Sequence, residues 1–244
     1  MAQNIKKYQK KAEYSYTLGA FPTMELLQNR PELVRMVYLH SQMDSPELKE
    51  KLEELCKAKR IRLTVSDKTV EKLRDKENCF CIGLFDKQEG VLARDQDHIV
   101  LVNPSDMGNV GTILRTALGF GLHDIAIIEP AADVFNPKVI RSSMGALFHQ
   151  RVQSFESFAE YEKAYGKGRL LYPFVLHGHH VLQELSVPRG ERFALIFGNE
   201  ATGLPKEFEA FEHSVTIRQS DEVDSFNLSM AAGMAIYEFT RFQS

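Results

Sequence analysis

The sequence predicts an α/β protein, with a mostly parallel sheet in its C-terminal part and a smaller α/β domain in front. Three observations carry that expectation. Short apolar runs with strand character alternate with helical stretches along most of the chain, which calls for a largely parallel sheet covered on both faces. The polar run KQEGVLARDQD, around residues 87–97, interrupts the alternation and marks a boundary. Loops rich in Gly, Asn and Ser follow apolar runs in the second part, where such sheets bind ligands beyond the carboxyl ends of their strands.

Residues 1–15 read as a basic arm, with Lys6, Lys7, Lys10 and Lys11 and no acid among the first eleven residues. Residues 16–92 follow as an α/β domain. FPTMELLQNRPEL has Thr23 followed by apolar residues at helical spacing, and VRMVYLH reads as a strand. SPELKEKLEELCKAKR is the clearest helix, with Ser45 to cap it, Pro46 at its first position and Leu48, Leu52 and Leu55 on one face. IRLTV, SDKTVEKLRD and CFCIGLFD then read as strand, helix and strand.

Residues 98–244 form the second domain. HIVLV is a strand, GNVGTILRTALGF a helix, DIAIIEP a strand, VIRSSMGALF and FESFAEYEKAYG helices. RLLYPFVLH, RFALIFG and SVTIR are strands, and a last helix runs from Asn227 to Phe242.

Composition excludes several classes. The chain has 244 residues, 43% hydrophobic and 26% charged, as soluble globular proteins do. No window approaches the ~18 apolar residues of a membrane helix, and the lysine-rich start has no apolar core behind it, so it is no signal peptide. Three cysteines give neither a disulfide framework nor zinc spacing; a cytoplasmic protein with reduced thiols is expected. Residues 1–94 carry 18 Lys+Arg and 14 Asp+Glu, leaving 12 and 19 for the rest. A basic front on an acidic body suits a polyanion partner, and a solvated tail is the alternative reading of the arm.

Three loops carry the chemistry. NPSDMGNVGTILRTALGFG, residues 103–121, is glycine-rich but lacks the Gly-Lys-Ser/Thr of a phosphate loop and the spacing of a dinucleotide fingerprint. It offers Asn109 and Arg115; an arginine early in a helix opposes the macrodipole unless something anionic compensates, and its fork suits a phosphate or carboxylate. LIFGNEATGLP, residues 195–205, runs an apolar strand into Gly198, Glu200 and Gly203. Those glycines allow close approach to the backbone, and the glutamate suits a hydroxyl, a cation or a neighbouring arginine rather than a phosphate. DSFNLSMAAGMAIYEF, residues 224–239, offers Ser225 and Asn227 as helix caps before a smooth Ala/Gly face.

Taken together and in this order, the three stretches resemble the SPOUT superfamily of S-adenosyl-L-methionine-dependent RNA methyltransferases, and within it the TrmH (SpoU) family of ribose 2′-O-methyltransferases. The resemblance covers roughly residues 98–242, and RSSMGALFH (residues 141–149) also matches a family stretch. Residues 16–92 resemble the ribosomal-protein-like substrate-binding domain that many members carry.

The resemblance implies a deep trefoil knot, S-adenosyl-L-methionine as donor, RNA as partner, a homodimer and no metal. It places catalytic roles on Asn109, Arg115, Glu200, Ser225 and Asn227. It places donor contacts on Leu176, His177, Gly178, Phe197, Gly198, Asn199, Gly203, Ile217, Ser225, Phe226 and Leu228. His177, His179 and His180 lack a matching acidic cluster and read as loop histidines beside the donor. The expected reaction is methylation of a ribose 2′-hydroxyl in structured RNA, ribosomal RNA favoured over transfer RNA. The alternative is a non-catalytic RNA-binding or ribosome-assembly protein that keeps the fold. A doubly wound methyltransferase using Glu129 would leave the second and third loops unexplained.

Two stretches depart from the family pattern. Ile217 is followed by Arg218-Gln219-Ser220-Asp221-Glu222-Val223-Asp224 where members often carry Pro-Met and glycine, and SDMG precedes Asn109 in place of the more usual Pro-Gly. The three carboxylates of residues 221–224 either face a dimer partner, pair with Arg218, or set substrate choice.

Overall fold

The computed structural model describes residues 5–187 and 190–241. In chain order its elements are β1 (Tyr14–Tyr16), α1 (Ala20–Asn29), β2 (Val34–Leu39), α2 (Pro46–Ala58), β3 (Leu63–Val65), α3 (Asp67–Leu73) and β4 (Cys81–Asp86). There follow β5 (His98–Val102), α4 (Met107–Gly119), β6 (Asp124–Ile128), α5 (Pro137–Ser142), β7 (Arg151–Phe155) and α6 (Phe158–Tyr161). The last are β8 (Leu170–Pro173), β9 (His180–Val181), β10 (Phe193–Phe197), β11 (Val215–Thr216) and α7 (Leu228–Thr240). Two compact units result: Met1–Gln88 with Asp133–His149, and Glu89–Ala132 with Gln150–Ser244.

The first unit is a four-stranded sheet in the order β1-β4-β2-β3. Side chains alternate across β2 and β4, as a pleat requires. Tyr38, Ile82 and Leu84 join Val70 and Leu73 of α3 on one face. Val37, Leu39 and Cys81 join Met24 and Leu27 of α1 and Leu52 and Cys56 of α2 on the other. The cap expected for α2 is present: Ser45 Oγ accepts from Leu48 N–H at 3.4 Å, with Pro46 in the first turn.

The basic arm is built into this unit. Ile5 is buried in the α3-side core, Tyr8 N–H donates to Tyr16 Oη at 3.1 Å, and Lys87 Nζ lies 4.5 Å from the centre of the Tyr8 ring. Tyr8 and Lys87 also hydrogen-bond Asp133. That contact belongs to a stretch expected in the second domain: Asp133–His149 groups with the first unit, where Arg141 pairs with Asp75 and Phe148 packs edge-on against Phe85. The helix read across VIRSSMGALF is broken there. α5 ends at Ser142, Met144 and Gly145 both take positive φ (54° and 87°), and a 3₁₀ turn follows over Ala146–His149.

The second unit is a five-stranded, all-parallel sheet in the order β7-β6-β5-β10-β8. The five residues of each of β5, β6 and β10 are all buried, as a sheet covered on both faces demands. Val100, Val102, Ala126, Ile128, Ala194 and Ile196 pack with Phe155, Tyr161, Tyr165 and Phe208 on one face. The FESFAEYEKAYG helix is only a four-residue α-turn that passes into a π-helical turn, Glu162–Gly166. SVTIR contributes only Val215–Thr216, paired with His180–Val181. Phe242, the expected end of the last helix, lies outside the described residues.

Under the amino ends of the strands sits a buried polar cluster. His98 is fully buried; its Nε2 lies 2.8 Å from Ala93 O and its Nδ1 2.9 Å from Tyr161 Oη. Arg169 Nη2 lies 3.0 Å from the same Nε2, so a neutral ring serves one of the two contacts there, donating to Ala93 O or accepting from Arg169. Burial, reinforced by the nearby Arg169 guanidinium, pushes its pKa down to about 4.

Candidate functional site

The carboxyl ends of β5, β8 and β10 run into the loops that carry the candidate residues, where parallel sheets place their ligands. Beyond β10, Asn199 and Gly203 exchange backbone hydrogen bonds at 3.2 and 2.9 Å to close a tight turn. Gly198 is required for a reason other than ligand access. A Cβ there would lie 2.2 Å from the Gly203 carbonyl carbon, and one at Gly178 would lie 2.6 Å from that of Val215. Both glycines mark places where one backbone segment presses on another.

Asn199 fixes the turn to the neighbouring strand. Its Nδ2 donates to Asn103 O at 2.8 Å, and its Oδ1 accepts from Ala201 and Thr202 N–H at 2.9 and 3.2 Å. Glu200 then reaches across to the entrance of α4. One carboxylate oxygen accepts from Ser105 N–H at 3.0 Å and Ser105 Oγ at 2.8 Å. The other accepts from Asp106 N–H at 3.0 Å and Asn109 Nδ2 at 3.4 Å. Burial opposes ionisation, but the hydrogen bonds outweigh it and hold the carboxyl below its ordinary pKa.

Asn109 lies inside α4 rather than in the turn before it; the helix is capped by Asp106, whose Oδ1 accepts from Asn109 N–H at 2.7 Å. The Asn109 side chain is the middle of a relay. Its Oδ1 accepts from Asn227 Nδ2 at 3.1 Å. Asn227 is itself the cap of α7, its Oδ1 accepting from Ser229 N–H at 2.9 Å and Met230 N–H at 3.4 Å. Ser225 is exposed and does not cap α7. One chain of hydrogen bonds, Glu200–Asn109–Asn227, therefore ties the three loops together.

Beside this relay opens a cavity of about 930 Å³. Leu176, Phe197, Gly198, Asn199, Gly203 and Ile217 line it, as do Ser225, Phe226 and Leu228. Glu200 lines it too, while His177 and Gly178 do not. Phe174, which sequence reasoning missed, stacks on Phe197 with ring centres 4.8 Å apart and forms part of the wall. Its only signal was membership of an apolar strand. Ser105 and Asp106 were missed as well, although SDMG preceding a helix was a visible capping pattern.

The wall at Ile217–Gln219 is held by side chains. Gln183 donates to Arg218 O and accepts from Arg218 N–H, both at 3.0 Å, and Arg218 pairs with Glu184 rather than with the acids of residues 221–224. Gln219 Nε2 donates to Asp224 O at 2.9 Å, closing the base of that acidic loop. Arg115 is set apart. It is exposed on α4, does not line the cavity of its own chain, and has no hydrogen-bond or ion-pair partner among the described residues. Among the described residues no three His, Cys, Asp or Glu side chains gather at metal-binding spacing, and no helix is long and apolar enough to cross a membrane.

Residues 96–237, more than half of the chain, match the SpoU rRNA Methylase family. The chain belongs to that family. Two of its relatives are the 23S rRNA (guanosine(2553)-2′-O)-methyltransferase of Bacillus subtilis and the 23S rRNA (uridine(2479)-2′-O)-methyltransferase of Streptomyces viridochromogenes. The first is 32% identical over 61% of this chain and 60% of that protein, the second 30% identical over 59% and 52%. The chain thus spans little more than half the length of these relatives. The SpoU methyltransferase AviRb of Streptomyces viridochromogenes, solved in complex with AdoMet, superposes with a TM-score of 0.80 over 96% of this chain and 91% of that one, at 22% identity. The fold is accordingly the SpoU (SPOUT) α/β fold, which implies the trefoil knot.

Proposed function

We propose that this SpoU protein transfers the methyl group of S-adenosyl-L-methionine to a ribose 2′-hydroxyl of structured RNA, ribosomal RNA by preference, in the cytoplasm. The observation that carries the reading is the Glu200–Asn109–Asn227 relay, which assembles the three family motifs around one cavity. Two 23S rRNA methyltransferases among the relatives favour ribosomal RNA.

The cavity suits the donor. Its volume is that of small-molecule sites, the Phe174 and Phe197 rings and Leu176, Ile217, Phe226 and Leu228 give apolar surface, and the 198–203 turn offers backbone polar groups. When bound there, S-adenosyl-L-methionine supplies a methyl group already activated by sulfonium charge. The chain's task is alignment and handling of one proton.

Arg115 is the candidate for the acceptor side. A guanidinium stays protonated, so it grips the RNA phosphate and stabilises developing negative charge on the 2′-oxygen rather than acting as a base. Glu200 is a positioning residue in this scheme. Both its oxygens are taken up by the 105–109 segment, and a carboxylate with a lowered pKa is a poor proton acceptor. Ser225, exposed at the cavity wall, has a hydroxyl available to the acceptor side.

A homodimer completes the proposal. α4 and α7 pack on each other and leave Phe120, Met230 and Tyr237 exposed, with the Phe120 and Tyr237 rings edge to face at 6.2 Å. Gly233 opens onto empty space on the same helix. Burying that face against a second copy would carry Arg115, which stands outside its own cavity, to the cavity of the partner. Mapping 2′-O-methyl marks in total RNA from cells with and without the gene tests the reaction: a lost mark is expected, and an unchanged set of marks would remove the enzyme reading.

A further inference from the structure

The first unit holds a cationic surface that its own carboxylates do not neutralise. Within α2, Lys49 and Lys51 are interspersed with Glu47, Glu50, Glu53 and Glu54, whereas the helix end and the segment after it carry Lys57, Lys59, Arg60 and Arg62 with no acid among residues 55–66. The four cations are exposed, and among the described residues none has an ion-pair partner. Arg30, Arg35, Arg74 and Arg141 of the same unit are all paired, with Glu32, Asp86, Glu71 and Asp75.

Lysines at a helix C-terminus answer the macrodipole and argue nothing alone. Arg60 is different. Its φ is +57°, and the helix end closes around it: Ile61 N–H returns to Cys56 O at 2.8 Å and Arg60 N–H to Lys57 O at 3.2 Å. Glycine is the usual occupant of such a left-handed closure, because a side chain there strains the backbone. An arginine that costs stability where it stands points to a use for its guanidinium. Arg62 then leads into β3, an edge strand of the sheet, while the N-terminal arm leads into β1 at the opposite edge. Ile61 and Leu63 between and beyond the cations pack toward the core, so the patch lacks the apolar centre that a protein interface uses.

We propose that Lys57, Lys59, Arg60 and Arg62 form a binding surface for the phosphate backbone of RNA, separate from the N-terminal arm. The inference rests on the RNA reading given above and adds a second electrostatic contact to it. Guanidinium forks suit phosphate oxygens, and each phosphate neutralised releases condensed counterions, which makes the contact visible as salt dependence.

The test uses the full chain and a labelled fragment of 23S rRNA, with affinity read by fluorescence anisotropy across a salt series. Arg60→Gly is expected to lower the slope of log affinity against log salt by roughly 0.7–0.9 while Tm holds or rises. The combined K57Q/K59Q/R60G/R62Q variant is expected to lower it by roughly 3, with donor binding by calorimetry unchanged. A slope equal to wild type in the combined variant would overturn the proposal, as it would if the patch served an acidic protein instead. So would an Arg60→Gly variant that loses Tm and RNA affinity together. Wild-type protein that fails to bind the RNA removes the RNA reading itself; wild type that binds, beside variants that bind equally, removes only the patch.

Discussion

Asn227 Nδ2 donates to Asn109 Oδ1 at 3.1 Å across 118 residues of sequence. The same Asn227 caps α7 through its oxygen, so its two side-chain atoms serve two tasks that substitution can separate.

Asn227→Asp keeps the capping oxygen and loses the donor to Asn109, whereas Asn227→Ala loses both. The aspartate variant should keep wild-type stability within about 0.5 kcal/mol, and the alanine variant should lose about 1 kcal/mol. Both should lose methyl transfer. Urea unfolding beside an activity assay checks this; an active alanine variant would show the relay to be dispensable.

Arg115→Ala should leave donor affinity nearly unchanged and reduce transfer by roughly 10²–10³-fold. Arg115→Lys should restore little of it, because an ammonium lacks the planar fork. Calorimetry and single-turnover kinetics separate the two effects, and a variant that loses donor binding yet still transfers would contradict the assignment.

Much of this was legible in the sequence, and the exceptions have physical causes. Ser45 and Asn227 were readable as caps because capping is local, and the strands leading to the candidate loops because apolar runs are local too. The partners of Glu200 were not readable: Ser105 and Asp106 lie some 95 residues away, and only the sheet order β5-β10 brings them together. Glycine 198 was read as room for a ligand, since a missing side chain looks the same whether a ligand or another backbone fills the space. The arm read as basic or solvated because its lysines dominate, while Ile5 and Tyr8, which anchor it, are too few to make a pattern. Charge neutralisation of Lys6, Lys7, Lys10 and Lys11 is therefore a cleaner test of the arm than its removal.

His98 should make the protein acid-sensitive above the range of carboxylate titration. Its folded pKa, about 4, lies below the ordinary histidine value of 6.5, so the unfolded chain takes up the proton first. The contribution is fully present above pH 6.5 and is lost as pH falls toward 4, reaching at most about 3 kcal/mol. A plot of unfolding free energy against pH should bend downward over that interval. A flat line there would mean that the buried ring is not held neutral.

Tyr237→Glu should dissociate the proposed dimer, since a carboxylate would be buried against an apolar face. Sedimentation velocity should show a shift from dimer to monomer, with loss of transfer and a retained fold by circular dichroism. Wild-type protein sedimenting as a monomer at micromolar concentration would contradict the arrangement in which Arg115 serves the partner's cavity.

The central claim is tested most directly by incubating the protein with methyl-labelled S-adenosyl-L-methionine and unmodified 23S rRNA, then hydrolysing the RNA in alkali. A 2′-O-methyl group removes the nucleophile for alkaline cleavage, so label is expected in an alkali-resistant dinucleotide, and Arg115→Ala should reduce its rate of appearance by the same roughly 10²–10³-fold. Label recovered in mononucleotides, or no incorporation by protein that binds both donor and RNA, would contradict ribose methylation.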